Sequence, residues 1–145
     1  METIRVTTSE ELQACFQVRL KVFVEEQQVP EELEMDEKDE SPAACHHFLI
    51  VDEGQPVATA RWYFYQDKTA KFQRVAVLKE YRGKGLGKKL IVEMEKQARE
   101  LNAESAILDA QCQAEGFYSQ LGYRVISEEP FYDADILHVR MQKPL

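Results

Sequence analysis

Residues Arg74 to Lys89 read RVAVLKEYRGKGLGKK, and this stretch decides the fold. It opens on a short apolar, β-branched run, Val75 to Val77, which reads as the end of a strand. It then turns through Arg82, Gly83, Lys84, Gly85, Leu86 and Gly87 and enters an amphipathic helix with Leu86, Leu90, Met94, Ala98 and Leu101 on one face. Three alternate glycines leave backbone N–H groups uncovered. A helix N-terminus adds unpaired N–H groups and the positive end of a dipole, which favours acidic neighbours. Here the neighbours are Arg82, Lys84, Lys88 and Lys89, with no acid after Glu80. Cations crowded at that end are unfavourable unless an anion sits among them, so the stretch reads as a phosphate or diphosphate cradle.

Spacing excludes two better-known glycine loops. A Walker loop needs a glycine where Lys88 stands, followed by Lys and then Ser or Thr; no hydroxyl residue follows. A dinucleotide fingerprint is begun by Gly83 and Gly85, but Lys88 fills its third glycine place. The pattern present is Arg-x-x-Gly-x-Gly, from Arg82 to Gly87, between a strand and a helix. A second motif follows: SAILDAQ at 105–111, then AEGFYSQLGY at 114–123, with Phe117-Tyr118 and Gly122-Tyr123.

In order and separation these two motifs resemble those of the GCN5-related N-acetyltransferases, the GNAT family. The resemblance implies an α/β fold with a central, mostly antiparallel mixed sheet, flanked by helices and split by a V-shaped gap. That gap lies between the strand before the glycine loop and the strand after the long helix. It also implies acetyl-coenzyme A as co-substrate, with Arg82, Gly83, Lys84, Gly85, Leu86, Gly87 and Lys88 around the diphosphate. Val75 and Ala76 would align the pantetheine amides, and Gln111, where many members have Asn, would contact the pantetheine. A bulge in the family's split strand directs an N–H inward, and Val77 is the expected oxyanion donor. Tyr118 matches the family's acid; a phenol (pKa about 10) can protonate a leaving thiolate (about 8.5) if positioned. Phe117 is expected in the core.

The proton of the incoming ammonium has several candidate acceptors: Glu26, Glu34, Asp36, His46 and His47, with His138 a weaker one. Arg19 and Phe23 share a helix face by their spacing, and Glu34, Asp36 and Asp39 follow. Over an acceptor mouth such carboxylates would favour a cationic amine. The string from Arg19 to Glu40 is similar to the ElaA/YjcF-like subgroup of small bacterial acetyltransferases, whose acceptors are ill defined. The same constellation resembles acyl-homoserine-lactone synthases, but these have a tryptophan between the two groups, and Val24 to Leu33 holds none. Two alternatives to amine acetylation stay open: such a synthase, and a regulatory protein that binds acetyl-CoA without transferring the acetyl group.

Size and composition narrow the setting. The 145 residues suit one domain, 1–145. Formal charge is -8, against general nucleic-acid binding, so the basic loop is a local exception. No apolar run approaches membrane-spanning length, and METIRVTT lacks the core of a secretion signal. Cys15, Cys45 and Cys112 form neither a zinc pattern nor a disulfide framework. The expectation is a cytoplasmic protein without a metal, possible as a homodimer.

Locally, Thr3 to Thr7 reads as a strand, and Thr8 with Glu11 as a capping box for a helix to about Phe23. A short acidic segment follows through Met35, then a polar loop to Ala44. Strands are expected at 47–51, 57–65, 71–78 and 105–109, with a closing pair at 123–127 and 136–141.

Overall fold

A computed structural model describes residues 1–145. One sheet runs in the order β1 (Glu2–Arg5), β2 (His46–Asp52), β3 (Gln55–Gln66), β4 (Thr69–Val77), β5 (Ser105–Gln111), β8 (Ile136–Pro144) and β6 (Arg124–Val125), with β7 (Phe131–Asp133) paired to β8. All pairings are antiparallel except β4 with β5. Helix α1 (Ser9–Arg19) packs on one face of the sheet and α3 (Leu86–Glu100) on the other. No helix is long and apolar enough to cross a membrane.

Each expected boundary has a local cause. Thr8 Oγ1 accepts from Glu11 N, and Glu11 Oε1 accepts from Thr8 N, closing the capping box read in the sequence. The turn joining β2 to β3 places both Glu53 and Gly54 at positive φ, the geometry of a tight hairpin. Leu86, Leu90, Ile91, Met94 and Ala98 form the buried stripe of α3. They meet Phe48, Ala60, Trp62, Phe72 and Leu108 of the sheet in the main core. Trp62 is fully buried and donates through Nε1 to Gln97 Oε1 at 2.8 Å, fixing α3 over β3.

Two departures from expectation matter. Helix α1 does not end near Phe23; it continues as a π-helical segment, Leu20–Glu26. Such widened turns recur at functional sites. The closing strands are not a simple hairpin. β6 does pair with β8, but β7, three residues long, intervenes and forms the actual hairpin. The short acidic stretch forms helix α2 (Glu31–Glu34), and α4 (Glu115–Gln120) follows β5.

The sheet divides where the family resemblance implied. β4 and β5 pair only from Thr69↔Ser105 to Phe72↔Leu108. Beyond that point the strands diverge, although β5 keeps its partner β8 as far as Gln111↔His138. Across β4 the register with β3 jumps from Gln73↔Arg61 to Ala76↔Thr59, so two residues, Arg74 and Val75, oppose one. Arg74 takes φ +57 in this bulge. A left-handed non-glycine residue costs on the order of 1 kcal/mol, and here it re-aims the strand at the split.

Candidate active site

Where β4 and β5 part, a cleft of about 690 Å³ opens, lined from both strands and from the loop ahead of α3. On the β5 side of Gln73 to Val77 no strand supplies a partner, so the outward backbone groups of that edge face the cleft. Val75, Ala76, Val77, Arg82, Gly83, Gly85, Leu86, Gly87, Gln111 and Tyr118 all line it, as the sequence had grouped them. Lys84 and Lys88 do not. Lys84 lies over the Tyr81 ring at 5.0 Å, and Lys88 is exposed on α3.

The loop end leaves backbone N–H groups open. Gly83 and Gly85 hold φ +79 and +80, a conformation that favours glycine. Gly85 is the N-cap of α3, so no side chain covers the first N–H groups of the helix, and its first turn holds no acid. Gly87 leaves room for the Phe117 ring: a Cβ there would meet Phe117 Cζ at 3.2 Å, so the ring would have to give way slightly. Phe117 is therefore not a core residue. It is 40 % exposed, forms part of the cleft wall, and packs edge-on against Tyr118. These open N–H groups beside a deep, partly apolar cleft fit a diphosphate with an extended arm.

Arg82 lines this end but is engaged. Its Nη1 and Nη2 donate to the Glu26 carboxylate at 2.6 and 2.8 Å, and its Nε to Val77 O at 3.0 Å. The π-helical segment is thus tied to the glycine loop. Gln111 is engaged too: it donates to Gln27 Oε1 at 2.9 Å and accepts from Gln113. The first of these bonds links β5 to the end of the π-helical segment, across the split.

Tyr118 is buried on α4, in edge contact with the Tyr123 ring. Its hydroxyl makes no protein hydrogen bond and is not sealed from solvent. Burial pushes the phenol up to about 12, which keeps its proton in place.

The acidic constellation is something other than an acceptor trap. Arg19, 1 % exposed, donates to Glu34 Oε1 at 2.9 Å and to both Asp39 oxygens at 2.7 and 2.9 Å. Arg61, equally buried, grips Asp36 at 2.7 and 2.9 Å and Asp39 at 2.9 Å. Arg74 Nε lies 3.2 Å from Glu34 Oε1, without the alignment of a hydrogen bond. Three carboxylates thus face three guanidiniums, and the formal charges of this cluster balance. Of the candidate proton acceptors Glu26, Glu34, Asp36, His46, His47 and His138, only Glu34 and His138 touch the cleft. Glu26 and Asp36 are bound elsewhere, as above, and His47 is buried with Nε2 at 3.0 Å from Lys38 O. The Arg19–Asp39 grouping that suggested a lactone synthase is this same structural network. Arg74, Phe117 and Asp133 are among the cleft residues that carry no site role in the sequence reading.

The family model described as an acetyltransferase (GNAT) domain matches residues 6–145, and the chain belongs to that family. YjcF of Bacillus subtilis (strain 168), named an uncharacterized N-acetyltransferase, is 40 % identical over 143 residues, covering 99 % of each chain. An acyl-CoA N-acyltransferase structure from Pseudomonas aeruginosa superposes with a TM-score of 0.84 at 28 % identity, over 98 % of this chain and 97 % of that one. Escherichia coli ElaA superposes with the same TM-score, 0.84, at 24 % identity and the same coverage, a likeness of fold. The protein is an acyltransferase of the GNAT class, similar to YjcF.

Proposed function

We propose that residues 1–145 act as one acetyltransferase domain that moves an acetyl group from acetyl-CoA to a primary amine by direct attack. The observation that carries this is the single cleft joining the uncapped N-terminus of α3, the unpaired edge of β4 and the Tyr118 hydroxyl. Bound there, acetyl-CoA supplies an activated acyl group and a thiolate leaving group. The N–H groups of Gly83 to Gly87 and the first turn of α3 hold the diphosphate. Val75 and Ala76 take the pantetheine amides as a strand would. Val77 N–H donates to the carbonyl oxygen as it gains charge. Tyr118 gives its proton to the departing sulfur, a role suited by a phenol that burial keeps protonated. Arg82 reaches the diphosphate by exchanging Glu26 for it, and Gln111 reaches the pantetheine by releasing Gln27. Lys84 and Lys88 act at longer range, by raising the local potential. The acceptor is taken as neutral overall apart from its ammonium, since arginines already match Glu34, Asp36 and Asp39. The cysteines are free thiols, Cys15 and Cys45 buried, which suits a reducing cytosol.

The test is incubation with isotopically labelled acetyl-CoA over a panel of primary amines, read by mass spectrometry. Labelled amide on at least one amine is expected. Tight coenzyme A binding with no transfer to any amine would overturn the reading in favour of a coenzyme-binding protein.

A further inference from the structure

An amine carried as an ammonium must shed a proton before its lone pair can attack a thioester. Around the cleft, most groups able to take that proton are already occupied. Glu34 is held by Arg19, and Asp109 accepts from Arg140 at 2.8 and 3.1 Å and lies 3.6 Å from Lys71 Nζ. Glu26, Asp36 and His47 have the partners described above, and none of the three lines the cleft. His46 stacks on Trp62 at 4.4 Å, also away from it.

His138 differs from all of these. It sits on β8 directly opposite Gln111 of β5, three residues past the last β4–β5 pair at Leu108, and it lines the cleft. Its Nδ1 is 2.6 Å from Ile136 O. A carbonyl oxygen only accepts, so Nδ1 carries the hydrogen and the neutral ring keeps its lone pair on Nε2. Nε2 has no protein partner and is not sealed from solvent, so it is open to the cleft. Phe131 stacks on the ring at 6.1 Å and 21°, fixing its plane. Asp133 also faces the cleft, but an aspartate is ordinarily a far weaker base than an imidazole.

We infer that His138, through Nε2, is the base that deprotonates the acceptor amine; this rests on the amine-acetylation reading. One ammonium N–H bond breaks, its electron pair stays on nitrogen and the proton bonds to Nε2. The freed pair forms the new N–C bond, and the C–S bond breaks with its pair going to sulfur. Tyr118 protonates that sulfur and is restored by the second proton lost from nitrogen. His138 releases its own proton to solvent through the cleft. The sum is ammonium plus thioester giving amide, thiol and one proton.

Two readouts test this. In the free protein, ¹⁵N imidazole spectra, assigned with the His138→Gln variant, should show the Nδ1–H tautomer. With an amine that the wild type acetylates, His138→Gln should lose roughly a hundredfold or more in kcat, the range of general-base effects. Its coenzyme A affinity and circular dichroism should be unchanged, and added imidazole should restore part of the rate to His138→Ala. An Nε2–H tautomer, a wild-type rate in His138→Gln, or no imidazole rescue would overturn the inference while leaving amine acetylation intact. A wild type that acetylates no amine would overturn both.

Discussion

At Tyr118 one oxygen atom separates two kinds of role. The ring packs in the main core, while the hydroxyl, without a protein partner, meets the cleft. Tyr118→Phe keeps the packing and removes the proton. In single turnovers with saturating acetyl-CoA the rate should fall roughly ten- to a thousandfold, with little change in coenzyme affinity. A wild-type rate would leave sulfur to take its proton from water. The neighbouring residue shows the limit of reading single residues from sequence. Phe117 resembles a core aromatic in its spacing, yet it is half exposed against Gly87. The signal was on the other motif: Gly87, one place into a helix, leaves room that the Phe117 ring takes. Tyr118 was legible because a motif fixes its position; Phe117 was not, because the contact that places it joins residues 30 apart.

At the scale of elements, the link between the π-helical segment and the glycine loop carries a prediction. Arg82 cannot hold Glu26 bidentately and serve a diphosphate in the same geometry. The pair is exposed, and such pairs are worth about 0.2–1 kcal/mol. Glu26→Gln should therefore tighten coenzyme A binding, by at most about fivefold, measured by titration. Weaker binding would mean that Glu26 holds Arg82 in place for the coenzyme. The capping box, the β2–β3 turn and the stripe of α3 were readable because each is set by residues within a few positions. Strand β7 was not, since three residues after Pro130 carry no period of their own. Neither was the π-helical segment, where Val18 and Val22 keep ordinary helical spacing and only the backbone bonding changes.

Across the whole molecule, the arginine–carboxylate network ties α1, the loop after α2, β3 and β4 into one wall of the cleft. The carboxylates were visible in the sequence as a cluster, but Arg61 and Arg74 reach them only through the sheet, so the cluster read as an open acidic patch. Burial alone would raise Asp39, but the hydrogen bonds and charge of Arg19 with the charge of Arg61 hold it at about 2, against an ordinary 3.8. A depressed acid lends stability above its unfolded value and loses it as the pH falls through the folded one. Acid titration should therefore weaken the fold between about pH 4 and 2, and Asp39→Asn should flatten that part of the profile. At neutral pH the same variant leaves Arg19 and Arg61 under-compensated, and chemical denaturation should register a loss of about 3 kcal/mol or more. An unchanged stability would mean that the network is not what holds the wall. The central claim is that the split sheet and the uncapped N-terminus of α3 form a coenzyme A site. Calorimetric titration of the wild type and of Gly85→Asp tests it most directly. The substitution sets a carboxylate among the N–H groups meant for the diphosphate, at a residue whose φ of +80 aspartate tolerates better than most. One coenzyme A should bind per wild-type chain, and affinity should fall at least tenfold in the variant with an unchanged circular dichroism spectrum. Equal affinity in the two proteins would contradict the account.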